Sequence, residues 1–558
     1  MNRQAIYHAN KSEYSYAVSR SEVEIRLRTA RGDAESVELI YGMKYDWTIA
    51  RESCAMEKKY TDDLFDYYVI RLRLQDTRLA YIFRIRAEGK EYYYSEDGVR
   101  ETYDWALGYF NYFQIPYVHE ADVHREVNWA REAVLYQVFV DRFYRGDERA
   151  DKGYVNLEWG ERPNPKSFAG GDLEGIRKKL DYLQEMGFNA LYLTPIFASR
   201  SNHKYDTRDY FRVDDMFGGE RALEALAKDV HSRGMRIILD AVWNHCSREN
   251  ALFADVMEKG KASDYYDWFL IEGDKPDAER GNYEHFAGCT YMPKFNTSNR
   301  AVQEYLIEVS EHWMGRYGID GWRLDVADEV SDTFWRRFRE AVKGRNPNVI
   351  LLAENWQNGS AWLRGDEYDG AMNYPLTKAC LDYFVYDRYD ARDMAERLSS
   401  LLMRNTMPAN HMMLNLLDSH DTERFLTLAK KRGKDERSLI NALAVLFFSY
   451  GMPCVYYGTE IGMEGGYDPD CRRTFDWDSS HWNERIRGAV KKLIGIRKTL
   501  RGEIAYGEQG GVLTIRRGNR ILAINNQAKA AQVWICGHRI AIEGQTFQVI
   551  NSENGGMV

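Results

Sequence analysis

Eight short apolar runs, spaced by amphipathic helical stretches, do most to limit what this chain can fold into. They are Val134 to Phe139, Ala190 to Thr194, Arg236 to Asp240, Gly321 to Asp325, Val349 to Glu354, Gly370 to Asn373, Met412 to Leu417 and Cys454 to Tyr457. Runs this short and apolar read as strands buried on both faces, and helices between them make the sheet parallel. Eight such units close into a (β/α)8 TIM barrel, an α/β fold whose functional groups stand at the C-terminal ends of different strands. Asp325 and Glu354 end two of the runs, and Asp421 follows a third.

At 558 residues the chain is too long for one core, so the barrel, taken as residues 123–502, has neighbours. Residues 1–122 alternate apolar and polar positions, as in Val23-Glu24-Ile25-Arg26-Leu27-Arg28, which is the period of an antiparallel β-sandwich. Alternation returns within 503–558, at Gly511 to Arg516 and Arg520 to Ile524, predicting a small C-terminal all-β domain. The third and fourth runs stand too far apart for a single helix. The aromatic, glycine-rich stretch of about 246–297 between them reads as a lobe inserted over the barrel mouth, and loops that long usually serve function.

Charge and composition exclude several roles. A net charge of −9 and a pI near 5.9 leave no basic face for nucleic acid. Met1 to His8 lacks the apolar core of a secretory signal, and no run reaches the roughly 18 apolar residues of a membrane span. A cytoplasmic protein without membrane or nucleic-acid partners is expected. Seven scattered cysteines with no C-x-x-C pair point to reduced thiols and away from zinc. Aromatics reach 14%, with 39 Tyr and 14 Trp; flat rings suit stacking on sugar faces, although core packing accounts for most of them.

Cleaving an acetal needs one carboxylate to attack or stabilise the sugar cation and one carboxylic acid to protonate the departing oxygen. Asp325 fits the first role, because Arg323 lies two residues earlier on the same strand face and can hold it ionised. Glu354, on the next strand, faces an anionic neighbour and partial desolvation, which raise a carboxyl pKa and suit a general acid and base. Asp421, beside His420, is placed to grip sugar hydroxyls as the ring distorts. For a single strand-end Asp the plain alternative is a helix N-cap; three at one mouth weigh against it.

These residues belong to a wider pattern. Asp240-Ala241-Val242-Trp243-Asn244-His245, Gly321 to Ala327, the Glu354 segment and Leu417-Asp418-Ser419-His420-Asp421 resemble, in order, the four signature regions of the α-amylase superfamily, glycoside hydrolase family 13. Tyr136 to Phe143, His203 to Thr207, Met292 to Asn296 and Asp468 to Arg472 narrow the resemblance to its cyclomaltodextrinase, neopullulanase and maltogenic amylase group. The resemblance spans nearly the whole chain. It implies that Asp325 is the nucleophile, Glu354 the acid/base and Asp421 the transition-state stabiliser. It further implies that Asp240, Asn244, His245, Arg323 and His420 line the subsite of the attacked glucose, that Tyr205 stacks beneath it, that Asp468 and Arg472 contact the next sugar, and that Trp356 serves the leaving-group side. His203, His245 and His420 sit on separate elements without metal-site spacing, so sugar-hydroxyl contacts are the better reading.

The activity implied is double-displacement hydrolysis of α-1,4 bonds in cyclodextrins and maltooligosaccharides to maltose and glucose, with pullulan, starch and transglycosylation left open. The resemblance also implies a homodimer in which one chain's sandwich covers the other's barrel mouth. An α-glucosidase or glucanotransferase acting on short oligosaccharides is the neighbouring alternative, and a non-catalytic glucan-binding protein the remote one.

The chain departs from its group in places. The acid/base sits in Ala353-Glu354-Asn355-Trp356-Gln357 where Gly-Glu-aliphatic-Trp-His is usual, and Asp328 replaces a common Asn. Relatives often carry calcium near the first strand. Gly170, Gly171, Asp172, Asp147 and Asp151 remain here, but Arg145 and Ala150 occupy expected ligand positions, and calcium wants six to eight oxygens. No metal and no other cofactor is expected.

Overall fold

The structure, a computed structural model, describes residues 1–147, 152–535, 537–553 and 556. Eight parallel strands form one sheet in the spatial order Gly370–Ala371, Ile350–Ala353, Gly321–Leu324, Arg236–Ala241, Ala190–Leu193, Leu135–Val138, Met452–Tyr456 and Leu414–Asn415. A parallel bridge from Met372 to Leu414, with the Asn373 N–H donating to the Leu414 carbonyl at 2.8 Å, joins the two edges and closes the barrel. Every residue of Gly321–Leu324 and Ile350–Ala353 is buried, as the apolar runs require when helices cover the outer face. The sixth and seventh strands pair over only two residues each, shorter than their apolar runs. The backbones nearly touch there: a Cβ on Gly370 would stand 2.0 Å from the Met412 carbonyl oxygen.

The lobe predicted after the third strand contains helix Ala251–Lys259 and several single turns. Bridge His245–Lys294 fastens it close behind that strand, and Phe269–Phe295 ties it internally, before helix Arg300–Tyr317 resumes the barrel.

Ahead of the barrel, two antiparallel sheets pack face to face, their strands running from Ser15–Ser19 to Phe113–Ile115. Val23, Ile25, Leu27, Tyr81, Phe83 and Ile85 fill the space between them. The sandwich is tied down through Arg26, fully buried, which donates to the carbonyls of Met403, the last residue of helix Ala391–Met403, at 3.5 Å and of Asn405 just past it at 2.8 Å. Tyr16 accepts the N–H of Met407, the first residue of helix Met407–Met412, at 3.0 Å. At the other end, strands from Ile504–Gln509 to Thr546–Asn551 form the expected β-domain. Arg517 docks it by donating to Phe448 and Ser449 carbonyls at the end of helix Glu436–Phe448. Six cysteines are free; Cys536 lies outside the described residues.

Candidate active site

A cavity of about 530 Å³ opens at the C-terminal ends of the strands. Asp325, Glu354 and Asp421 all face it, with His203, Tyr205, His245, Trp356, Asp468 and Arg472. Asp240, Asn244, Arg323 and His420 lie behind this lining, at most 1% exposed, and meet it through hydrogen bonds.

Local backbone geometry aims the key groups. Val326, directly after Asp325, has φ +46°, a left-handed conformation that a β-branched residue rarely adopts and that costs about 1–3 kcal/mol. The turn delivers its N–H to Glu354 Oε2 at 3.0 Å. Lys204, at φ +64°, makes the corresponding turn between His203 and Tyr205. Its fully buried ammonium is held by Asp214 at 2.8 Å and the Ser199 carbonyl at 3.0 Å.

One guanidinium organises the carboxylates. Arg323 donates to Asp325 Oδ1 at 2.7 Å and to both oxygens of Asp240 at 3.1 Å, and lies at an ion-pair distance of 2.9 Å from Glu354 Oε2. Tyr192 and Tyr205 hydroxyls, each at 2.9 Å, complete the shell of Asp240 Oδ2. Burial pushes Asp240 up to about 6 against the pull of Arg323. Burial also raises Asp325 well above the usual carboxylate range; Arg323 opposes the shift, and the nearby Glu354 and Asp240 add to it. Asp325 and Asp240, buried around one cation, keep a proton to higher pH than separated, solvated carboxylates would.

The histidines are neutral donors. Burial holds His203 near 4 and His245 near 3, and takes His420 well below its ordinary value. The Gln137 amide donates to His420 Nδ1 at 2.8 Å, which leaves the proton on Nε2, shared between Tyr205 Oη at 2.5 Å and Asp421 Oδ2 at 3.0 Å. Asp421 Oδ1 takes an ion pair from Arg472 at 3.2 Å, and Arg472 also reaches Asp468 at 2.9 Å. His245 stacks on Phe286 at 4.7 Å, and its buried Nε2 has no partner among the described residues. The three rings do not converge, and among the described residues no group of three or more His, Cys, Asp or Glu is placed to hold a metal ion.

Phe286, Tyr291 and Glu329 also face the cavity and went unread in the sequence; Met292, Asp328 and Gln357, from segments quoted above, line it beside them. Lys294, from the inserted lobe, donates to the Asn244 side chain and pairs with Glu329 at 2.8 Å. Trp356, 42% exposed, lies flat on Tyr374 at 3.9 Å and 4°, and its N–H donates to Glu354 Oε1 at 3.1 Å. Lys294 lies within the quoted Met292 to Asn296 segment and Phe286 shortly before it, and that segment was the one available signal.

The oxygens that a calcium ion would draw on near the first strand are bonded to the chain's own cations. Arg145 Nε donates to the Ala169 carbonyl at 2.7 Å and Nη2 to that of Leu157 at 3.3 Å. Lys152 Nζ donates to the Gly170 carbonyl at 2.8 Å and to Asp172 Oδ2 at 2.5 Å. Asp172 Oδ1 takes the N–H groups of Gly146 and Gly175 at 2.9 and 2.7 Å. Ala150 and Asp151 lie outside the described residues. This donor-rich set does not fit a divalent ion.

Known proteins share this architecture. The family description "Alpha amylase, catalytic domain" matches residues 137–492, and "Alpha amylase, N-terminal ig-like domain" matches residues 1–119. The chain is 40% identical over 551 residues to a cyclomaltodextrinase of Thermoanaerobacter pseudethanolicus, covering 96% of this chain and 94% of that one. It is 41% identical over 504 residues to an intracellular maltogenic amylase of Bacillus subtilis, covering 89% and 84%. A solved structure named cyclomaltodextrinase superposes with a TM-score of 0.92 at 34% identity over 98% of both chains. The chain belongs to the alpha-amylase family of glycoside hydrolases.

Proposed function

We propose that this enzyme hydrolyses α-1,4 bonds of cyclodextrins and maltooligosaccharides to maltose and glucose by double displacement, retaining the anomeric configuration. The observation that carries the reading is the asymmetry of Asp325: Oδ1 is held by Arg323, while Oδ2 is buried with no partner among the described residues. Such an oxygen is oriented and undersolvated, as a nucleophile requires.

In the first half-reaction Asp325 Oδ2 attacks the anomeric carbon while Glu354 gives its proton to the departing oxygen. In the second, Glu354 takes a proton from water, which opens the glycosyl ester. The N–H groups of Val326 and Trp356 hold the Glu354 carboxyl through both halves. Asp421, oriented by His420, and the unpartnered Nε2 of His245 bind ring hydroxyls, and Asp468 with Arg472 takes the next sugar. Trp356 offers its free face to the leaving group.

The same reading gives a homodimer in the cytoplasm. Tyr45, Ile49, Leu107 and Phe110 on the sandwich are 54–81% exposed, and exposed apolar side chains of this size favour a protein partner. A second copy closing over the mouth would favour compact substrates over granules. The location follows the relative named intracellular.

A product time course from β-cyclodextrin, pullulan and soluble starch, with wild type and Glu354→Gln side by side, tests the assignment. Rapid cyclodextrin opening by the wild type alone supports it. Cleavage of maltose with cyclodextrin untouched would make the enzyme an α-glucosidase.

A further inference from the structure

We propose that Arg145 and Lys152 together replace a divalent cation, so that neither the fold nor the activity of this enzyme depends on calcium. Two single positive charges equal the charge of one such ion, and their donors end on oxygens of one loop: the Ala169, Gly170 and Leu157 carbonyls and the Asp172 carboxylate. They converge on a single residue. A Cβ on Gly170 would meet Arg145 Nε at 3.6 Å and Lys152 Cδ at 3.7 Å. The Lys152–Asp172 pair is largely shielded, with side chains 18% and 9% exposed, so it escapes most of the screening that weakens surface pairs. Arg145 also lies over the Trp159 ring at 5.5 Å, which fixes the guanidinium without any ion.

The device reaches the substrate cavity through the loop it ties. Trp159 donates to the Phe475 carbonyl and the Gly160 N–H to Thr474, each at 2.8 Å, just beyond Arg472. Asn202, next to His203, donates to the Ser167 carbonyl at 2.8 Å. Two loops that carry cavity residues therefore lean on a segment pinned by side chains of the chain itself. This conclusion does not rest on the substrate assignment.

The test is elemental analysis of the purified full-length enzyme together with melting temperatures in EDTA and in calcium chloride. Calcium far below one ion per chain, and a melting temperature that stays within about 1 °C between the two buffers, are expected. One calcium per chain, or a fall in EDTA that calcium reverses, would overturn the proposal. Lys152→Met should melt about 3 °C or more lower, with Lys152→Arg near wild type. A Met variant melting with the wild type would also overturn it. If that variant does not fold, the wild-type measurements decide alone.

Discussion

Arg323 and Glu354 stand 2.9 Å apart on adjacent strands, so the acid/base shares a cation with Asp325 and Asp240. A lysine is a point charge and cannot serve three carboxyl groups arranged around a fork. Arg323→Lys should lower kcat/KM by about 10²–10³-fold. Because Arg323 pulls the Asp325 and Asp240 pKa values down, the acid limb of the kcat/KM profile should move to higher pH. A variant with lower activity and an unmoved limb would mean that Arg323 only packs.

Glu354→Gln should separate the two halves of catalysis. Maltooligosaccharides, whose leaving group needs a proton, should lose about 10²–10⁴-fold. An aryl maltoside with a strongly acidic phenol needs no proton to depart, so its first burst of phenol should survive while later turnover slows. Equal losses on both substrates would remove Glu354 from the acid role.

The Trp356–Tyr374 stack makes a paired prediction. Trp356→Phe keeps a ring on Tyr374 but loses the N–H to Glu354, so kcat should fall with KM little changed. Trp356→Ala loses the platform as well, and KM for linear acceptors should rise about 2- to 10-fold, with transglycosylation products declining relative to hydrolysis. Product ratios by chromatography check both.

Away from the cavity, His124 is buried with neither ring nitrogen partnered among the described residues, and burial, helped by the charge of Arg339, holds it at about 4. Its folded value is depressed below the ordinary 6.5, so between about 6.5 and 4 the unfolded chain binds a proton that the folded chain refuses. Stability is therefore lost as pH falls through that window, at up to ~1.4 kcal/mol per pH unit from this group. His124→Leu should gain on the wild type in urea melts at pH 5 relative to pH 7. A difference that does not vary with pH would contradict the linkage.

Much of this was legible before any coordinates. Apolar runs buried on both faces carry a strong signal, so all eight strands were found, and strand-end carboxylates such as Asp325 and Glu354 came with them. What escaped reading depends on contacts between distant segments that have no period. Lys294 reaches Asn244 across 50 residues, Phe286 covers His245, and Tyr374 lies under Trp356. Nor did the sequence distinguish residues that touch the cavity from residues that hold those residues, because Asp240 and Asp325 both end apolar strands, and only the closed barrel puts one behind the other. The shortened sixth strand was hidden for a similar reason: Gly370 abuts the backbone of Met412, at the end of helix Met407–Met412 and 42 residues away.

Arg26 and Tyr16 give the sandwich a second meaning. Between them they reach the last carbonyl of one barrel helix, at Met403, and the first amide of the next, at Met407, groups that a helix cannot satisfy for itself. The leading 122 residues are thus a missing piece of the barrel's own hydrogen bonding, and removing them would uncover two helix termini at once. Heating should then dissolve sandwich and barrel in one transition. A chimaera that borrows a relative's sandwich would fold well only if it brings an arginine and a phenol to the same two places.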